Sequence, residues 1–394
     1  MRIPYLGLLF IVLINALVDL YIYRSLSKKR RFWSIIQLVT ATIFEIGLVI
    51  LFFLPISSTA DSFLRGLMWV IFIYISIYIP KYIFVIFDLI ARIPCLWHKK
   101  KLTAVTWTGS VLAVILFFSL WWGALWNRFN IDVKEQTVEM ANLPSSFDGF
   151  RIVQISDLHV GTYGENTGFI ESLVKKVNGL HPDVVFFTGD IVNRHSDELK
   201  PFIAVLSQIK AKYGVFSIKG NHDYGDYYNW DNPEDKKADN ERLALFQKNM
   251  GWKLLRNTSE AITKGNDSII VIGVENIGDP PFHRYGNLRK AYPDLSDANP
   301  KILLSHNPAH WVEEIADSPY NIGLTLSGHT HAMQMTLFGW SPVSYRYKTW
   351  GGLYSDKSNR HKLYVNIGTG TVGFPARIGA TPEITVITLK KAEK

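Results

Sequence analysis

Two kinds of apolar pattern divide the chain. Up to about residue 129 the hydrophobic positions run on almost unbroken, in four stretches at 3–23, 32–54, 63–90 and 102–126. A membrane-crossing helix needs roughly 20 apolar residues, so each stretch predicts one. The first is too long for a cleaved leader and lacks a small-residue cleavage site, so it reads as a retained span. Beyond residue 147 the runs are short: 152–155, 184–187, 215–218, 302–304 and 322–326. They are rich in β-branched residues, have no helical period, and predict buried strands. Between the first two, Phe169, Ile170, Leu173, Val174 and Val177 recur at helical spacing over 167–180, which predicts a strand–helix–strand unit. The organisation expected is a four-helix transmembrane domain over 1–129, a linker over 130–146 and an α/β domain over 147–394.

Polar residues of metal-binding type close each short run. In order they are Asp157-x-His159, Gly189-Asp190, Gly220-Asn221-His222-Asp223, His306 and Gly328-His329-Thr330-His331. Taken singly, most have ordinary readings: a strand-end cap, a turn, a hydrogen-bonded histidine before Asn307-Pro308. Together they change the picture, because ligands of open α/β sheets gather outside the carboxyl ends of the strands. Residues two apart at a strand end point to one face, so Asp157 with His159, and His329 with His331, each offer two donors in one direction. Gly189, Gly220 and Gly328 precede donor positions, where the chain must turn sharply or let another backbone approach. Oxygen and imidazole donors suit Mn, Fe, Zn, Ni or Mg, and a thiolate site is excluded because the one cysteine is Cys95.

At these residues the chain resembles the calcineurin-like metallophosphoesterases, whose motifs run D-x-H, G-D, G-N-H-[DE], H and G-H-x-H. The resemblance covers about 147–389 and is closest to the membrane-attached, bacterial-type branch. It implies two β-sheets packed face to face with helices outside. It also implies that Asp157, His159 and His331 hold one divalent metal and that Asn221, His306 and His329 hold another. Asp190 would bridge the two, and His222 would act as general acid beside the phosphate. Two departures stand out. Asn193 replaces the aspartate many relatives carry, which removes a carboxylate that could support His222. Ala332-Met333 replaces a glycine pair before Gln334, which bears on substrate shape.

Two metals about 3.5–4 Å apart activate a bridging water and clamp the attacking and leaving oxygens at phosphorus. A histidine that titrates near physiological pH suits protonation of the leaving oxygen. The expected reaction is hydrolysis of a phosphate ester or anhydride without a covalent intermediate.

Charge then locates the site. Arg24, residues 28–31 and residues 99–101 place basic loops after spans one and three, whereas the loop between spans two and three has only Arg65 nearby. The positive-inside rule makes both basic loops cytoplasmic and the α/β domain extracytoplasmic. Of 42 Lys/Arg, 13 lie in 1–129, leaving 29; of 34 Asp/Glu, 4 lie there, leaving 30. The basic balance therefore belongs to the spans, and a nucleic-acid partner is not expected.

Ionisable residues inside spans default to function. Glu45 and Lys81 fall at similar depth, so either they pair inside the bundle or Pro80 breaks the third span and Lys81 snorkels to an interface; Asp19 and Asp88 sit near span ends and read as interfacial. Two loops that follow the donor motifs, 224–230 and 337–345, are more aromatic than solvated loops need be. Either they form a lipid-facing collar or they pack on the sheets. The partners expected are the bilayer and a phosphorylated lipid or small phosphate ester. A tethered phosphatase for soluble compounds, or a receptor- or transport-like bundle with a regulatory domain, are the competing readings. A relative that cleaves a sugar-nucleotide lipid acts on the cytoplasmic face, against the orientation deduced here.

Overall fold

Each of the four long apolar stretches is a helix: α1 (Tyr5–Ser27), α2 (Arg31–Phe53), α3 (Asp61–Arg92) and α4 (Thr103–Leu125). The computed structural model describes residues 5–27, 31–53, 60–278, 283–292 and 299–392. The outer ends expected for the first two spans, at 3 and 54, lie outside these residues. All four helices are long and apolar enough to cross a membrane. The chain divides into two compact units, Met1–Trp122 and Gly123–Lys394.

Within the first unit the polar side chains gather between helices. Lys81 Nζ lies 2.8 Å from Asp19 Oδ1, not against Glu45. The reason is that α3 runs on through Pro80, so Tyr78 and Lys81, three residues apart, share a face and both reach Asp19. Gln37 also donates to Asp19 at 2.6 Å. Asp88 accepts from Tyr21, Arg92, Lys101 and Thr106. Both aspartates are buried and paired.

The second unit holds twelve strands among the described residues: β1 (Asp132–Met140), β2 (Arg151–Ile155), β3 (Val184–Phe187), β4 (Val215–Ser217), β5 (Trp252–Leu254), β6 (Thr258–Lys264), β7 (Asp267–Gly273), β8 (Lys301–Leu304), β9 (Ile322–Ser327), β10 (Gly352–Ser355), β11 (Lys362–Val365) and β12 (Glu383–Lys391). They form two mixed six-stranded sheets, ordered β1-β12-β2-β3-β4-β5 and β10-β11-β9-β8-β7-β6. Strand alternation decides what each residue buries against. Ile152, Val184, Phe186 and Phe216 share one core cluster with Ile269, Ile302, Leu304 and Leu324 of the second sheet. Their neighbours Val153, Val185 and Phe187 pack instead with Phe169, Ile170, Leu173 and Val174 of α5 (Gly168–Gly179). On the far side of the second sheet, Leu303 packs with Trp311 and Ile315. The strands are thus covered on both faces, which explains their continuous apolar runs.

The segment expected as a linker, 130–146, is part of this fold. Residues 132–140 are the edge strand β1, paired in parallel with β12 from Asp132↔Glu383 to Met140↔Lys391. Its Lys134, Glu135, Gln136 and Glu139 suit an exposed edge, where polar side chains discourage pairing with another chain. β2, β3 and β4 run parallel, as do β8 and β9. Their carboxyl ends carry the donor motifs.

Candidate metal centre

The backbone that delivers the donors is not extended. Asp157, His159, Asp190, His329 and His331 all have positive φ, between 47° and 76°. The expectation that paired donors converge through strand alternation is therefore replaced by tight left-handed turns. Such conformations are sparse for residues other than glycine and persist only where the surroundings enforce them. The preceding glycines are required by close approach. A Cβ on Gly189 (φ 100°) would lie 2.5 Å from Gly220 N, and one on Gly220 would collide with Asp190 Oδ1.

Asp223 organises two of these turns. Its buried carboxylate accepts N–H bonds from Asp190 (2.8 Å), Ile191 (2.9 Å), Val192 (3.2 Å) and Gly220 (2.9 Å). Burial, and then the nearby Asp190 carboxylate, push its carboxyl up to about 6. The sequence motif contains Asp223, yet nothing in the motif tells that it serves four amides and no metal.

All seven predicted donors come together, with His222 beside them. His159 Nε2 and His331 Nε2 face each other at 3.0 Å, and His331 Nε2 lies 3.3 Å from Asp157 Oδ1. On the other side, Asn221 Oδ1 is 3.1 Å from His306 Nε2 and 2.8 Å from His329 Nδ1, and those two nitrogens are 3.3 Å apart. Between the two sets, Asp190 Oδ2 is 3.3 Å from His306 Nε2 and 3.6 Å from His159 Nε2. His222 closes a third group with His159 and Asp190, their donor atoms lying within 4.8 Å of one another.

These donors fit divalent cations. Two ligands at the usual 2.0–2.1 Å from one ion, set at right angles, are separated by about 3 Å, the spacing found in both sets. Tautomers agree as well: His306 Nδ1 donates to the Thr188 carbonyl at 2.8 Å, which leaves Nε2 as the donor atom facing the site. Burial, helped by neighbouring histidines, drives His159 well below its ordinary range and His329 down to about 4, so both rings are neutral and present lone pairs. For Asp190, burial opposes ionisation but His306 and His222 overcome it and hold the carboxyl well below its ordinary range. For His306, burial is overcome by Asp190, which raises it to about 9. The carboxylates thus demand positive charge at the place where the donors converge.

His222 is held differently from expectation. Its Nδ1 lies 2.7 Å from the main-chain oxygen of Asn193, so the support thought lost with the Asn193 side chain comes from the backbone. Tyr227 stacks on its ring at 4.2 Å and 17°. Arg377 and Tyr347 are contacts that the motifs do not reveal. Arg377 Nη2 lies 3.2 Å from His331 Nδ1, and Tyr347 Oη 3.0 Å from His329 Nε2. The other departure has a backbone consequence: Ala332, Met333 and Gln334 hold φ of 50°, 47° and 57°, a run that glycines would adopt without strain.

The two aromatic loops part ways. In 224–230, Tyr224 is buried and stacks on Tyr285 at 3.9 Å, and Trp230 donates to the Gly225 carbonyl. This loop packs on its own unit. In 337–345, Leu337, Phe338, Trp340 and Tyr345 are exposed.

Comparison with known proteins accords with this geometry. Residues 150–333 match the calcineurin-like phosphoesterase family, and residues 1–128 match the transmembrane domain of probable calcineurin-like phosphoesterases. The chain is 31% identical to metallophosphoesterase YkuE of Bacillus subtilis, over 66% of this chain and 86% of that protein. It is 28% identical to a transmembrane protein with metallophosphoesterase domain of Danio rerio, over 97% and 89%. It is 29% identical to UDP-2,3-diacylglucosamine pyrophosphatase LpxG of Chlamydia trachomatis, over 58% and 81%. The chain belongs to the calcineurin-like metallophosphoesterases, as a multi-pass membrane hydrolase with its phosphoesterase domain behind four spans.

Proposed function

We propose that the protein hydrolyses a phosphate ester or anhydride of a lipid or lipid-linked envelope compound, at a two-metal site on the extracytoplasmic side of the membrane. The observation that carries this reading is the position of Asp190 Oδ2, within 3.6 Å of one imidazole from each of two donor sets. Asp157, His159 and His331 would hold one ion, Asn221, His306 and His329 the other, with Asp190 shared. Divalent ions bound there supply Lewis acidity at phosphorus and bring the pKa of water towards neutrality. The chain's own residues do the rest. Backbone and carboxylate contacts fix the donors before substrate arrives, so little reorganisation is needed during reaction. His222, with Nδ1 engaged by Asn193, keeps Nε2 for the leaving oxygen and delivers the proton there.

The lipid substrate is supported by tethering to four spans and by LpxG, whose name is that of a pyrophosphatase acting on a diacylated sugar nucleotide. The side of the membrane is supported by the basic loops at Arg24–Arg31 and Lys99–Lys101. The test is phosphate release by the detergent-purified full chain from phospholipid and polyprenyl phosphates and from soluble esters. Turnover on the lipid substrates that disappears in Asp190→Ala is the expected outcome; turnover on soluble esters alone would overturn the lipid assignment.

A further inference from the structure

Six residues after His331 the chain makes a two-residue hairpin. Leu337 N donates to Trp340 O at 2.8 Å and Trp340 N to Leu337 O at 3.0 Å. The two central residues, Phe338 and Gly339, have φ of 50° and 79°. A turn with both central φ positive favours Asn or Asp followed by Gly, and phenylalanine in the left-handed region is strained. Phe338 gains no packing in return, since its exposure is 101% of the reference value. Leu337 and Trp340 flank it at 61% and 46%, with Tyr345 at 87% and Met333 at 60%. A strained aromatic at a turn tip, ringed by exposed apolar side chains, has no stabilising partner in water.

The base of the hairpin identifies the partner. Met335 bridges Ile378, Thr336 N donates to the Ile378 carbonyl at 2.8 Å, and Ile378 N donates to the Gln334 carbonyl at 2.8 Å. Arg377, the preceding residue, donates its N–H to the carbonyl of Gly123 at 3.2 Å, and Asn127 Nδ2 donates to the Arg377 carbonyl at 2.9 Å. Gly123 lies three residues before the end of the fourth apolar stretch, whose Leu125 and Trp126 are exposed in turn. Through Ile378 and Arg377 the hairpin base is therefore tied to Gly123, the residue at which this unit begins directly after the membrane-spanning one in the chain. The charge is of the right sign too: 332–355 contains Arg346 and Lys348 and no acidic residue, which favours anionic headgroups.

We propose that the Leu337–Trp340 hairpin is a membrane-contacting finger whose Phe338 tip enters the lipid surface. The contact is a property of the surface and does not depend on turnover, so it can fail or hold independently of the substrate assignment.

The test uses the full chain in liposomes containing anionic lipid. With Cys95→Ser removing the one native thiol, Phe338→Cys and, separately, Tyr345→Cys carry an environment-sensitive fluorophore, and Lys248→Cys serves as control. Lys248 lies on the helix just before β5, at the end of the sheet away from the donor motifs. Insertion by roughly 5–10 Å predicts blue-shifted emission at 338, quenched about twofold or more relative to 248 by lipids spin-labelled high in the acyl chain. Water-like emission at both 338 and 345, untouched by the quencher lipids, overturns the proposal. A blue shift without lipid quenching also overturns it, and assigns the surface to a second copy of the chain instead.

Discussion

His222 Nδ1 and the main-chain oxygen of Asn193 are 2.7 Å apart, and a carbonyl can only accept, so Nδ1 keeps its proton and the one given to the leaving oxygen is a second, carried on Nε2. The orientation of the proposed acid therefore rests on the backbone after Asp190, whatever side chain stands at 193. The Asn193 side chain points elsewhere, its Nδ2 donating to Thr162 Oγ1 at 3.0 Å. Asn193→Ala is expected to keep turnover within roughly tenfold of the parent, while His222→Ala loses the ~10²–10⁴-fold that a positioned acid contributes. Phosphate-release rates of the two variants, measured side by side, check this.

Arg377 is fully buried, and burial lowers its guanidinium to about 10. It donates to the carbonyls of Ile367, Gly370 and Ala380, and its Nη2 lies 3.2 Å from His331 Nδ1. A planar fork serves that spread of acceptors and an ammonium does not. Arg377→Lys is expected to weaken metal binding by roughly 10–100-fold, as loss of outer contacts around metal ligands does, because it loosens the Gly370 turn whose N–H donates to the Asp157 carbonyl. Metal titration of the stripped protein reads the effect directly.

The strand-end motifs and the four spans were legible because each rests on a run of residues with one period and a chemically distinctive end. Asp157, Asp190 and His331 stand two to four residues past the ends of buried strands, so finding the strands found the donors. β1 was not legible: Asp132–Met140 alternates polar with polar, because one edge is open and only Val138 and Met140 are buried. Nor was the Asp19–Lys81 pair, which depends on α3 staying helical through Pro80 and on how the helices pack. Arg377 lies 46 residues from the histidine it touches, and no local spacing encodes such a contact. The left-handed φ of five site residues is likewise set by tertiary structure, against local preference.

Asp223 offers a sharper structural test. Oδ1 takes the amides of Ile191 and Val192 while Oδ2 takes those of Asp190 and Gly220. In Asp223→Asn one of these oxygens becomes an NH₂ group that faces two buried N–H donors. Each stranded donor costs about 1–3 kcal/mol, so a loss of roughly 2–6 kcal/mol is expected despite the isosteric change. Thermal unfolding in detergent measures it, and an unchanged midpoint would contradict the bonding described.

Glu383 gives a pH dependence away from the metals. It is buried, and burial raises its carboxyl above the ordinary value of 4.5; Tyr364 and Thr385 both donate to Oε1. At low pH both folded and unfolded chains hold the proton and nothing is lost. As pH climbs through the unfolded value, the unfolded chain ionises first, so this group lowers stability until pH passes its folded value. Glu383→Gln keeps an acceptor for both donors and removes the ionisation. It should raise the unfolding midpoint at about pH 8 and leave it nearly unchanged at about pH 4.

The central claim is that the seven donors around Asp190 hold two divalent ions in one site. Elemental analysis of the purified full chain, stripped and reloaded, tests it most directly. Two ions per chain in the parent protein, reduced in Asp190→Ala at equal thermal stability, are predicted. One ion or none in the parent, or two ions undiminished in Asp190→Ala, would contradict it.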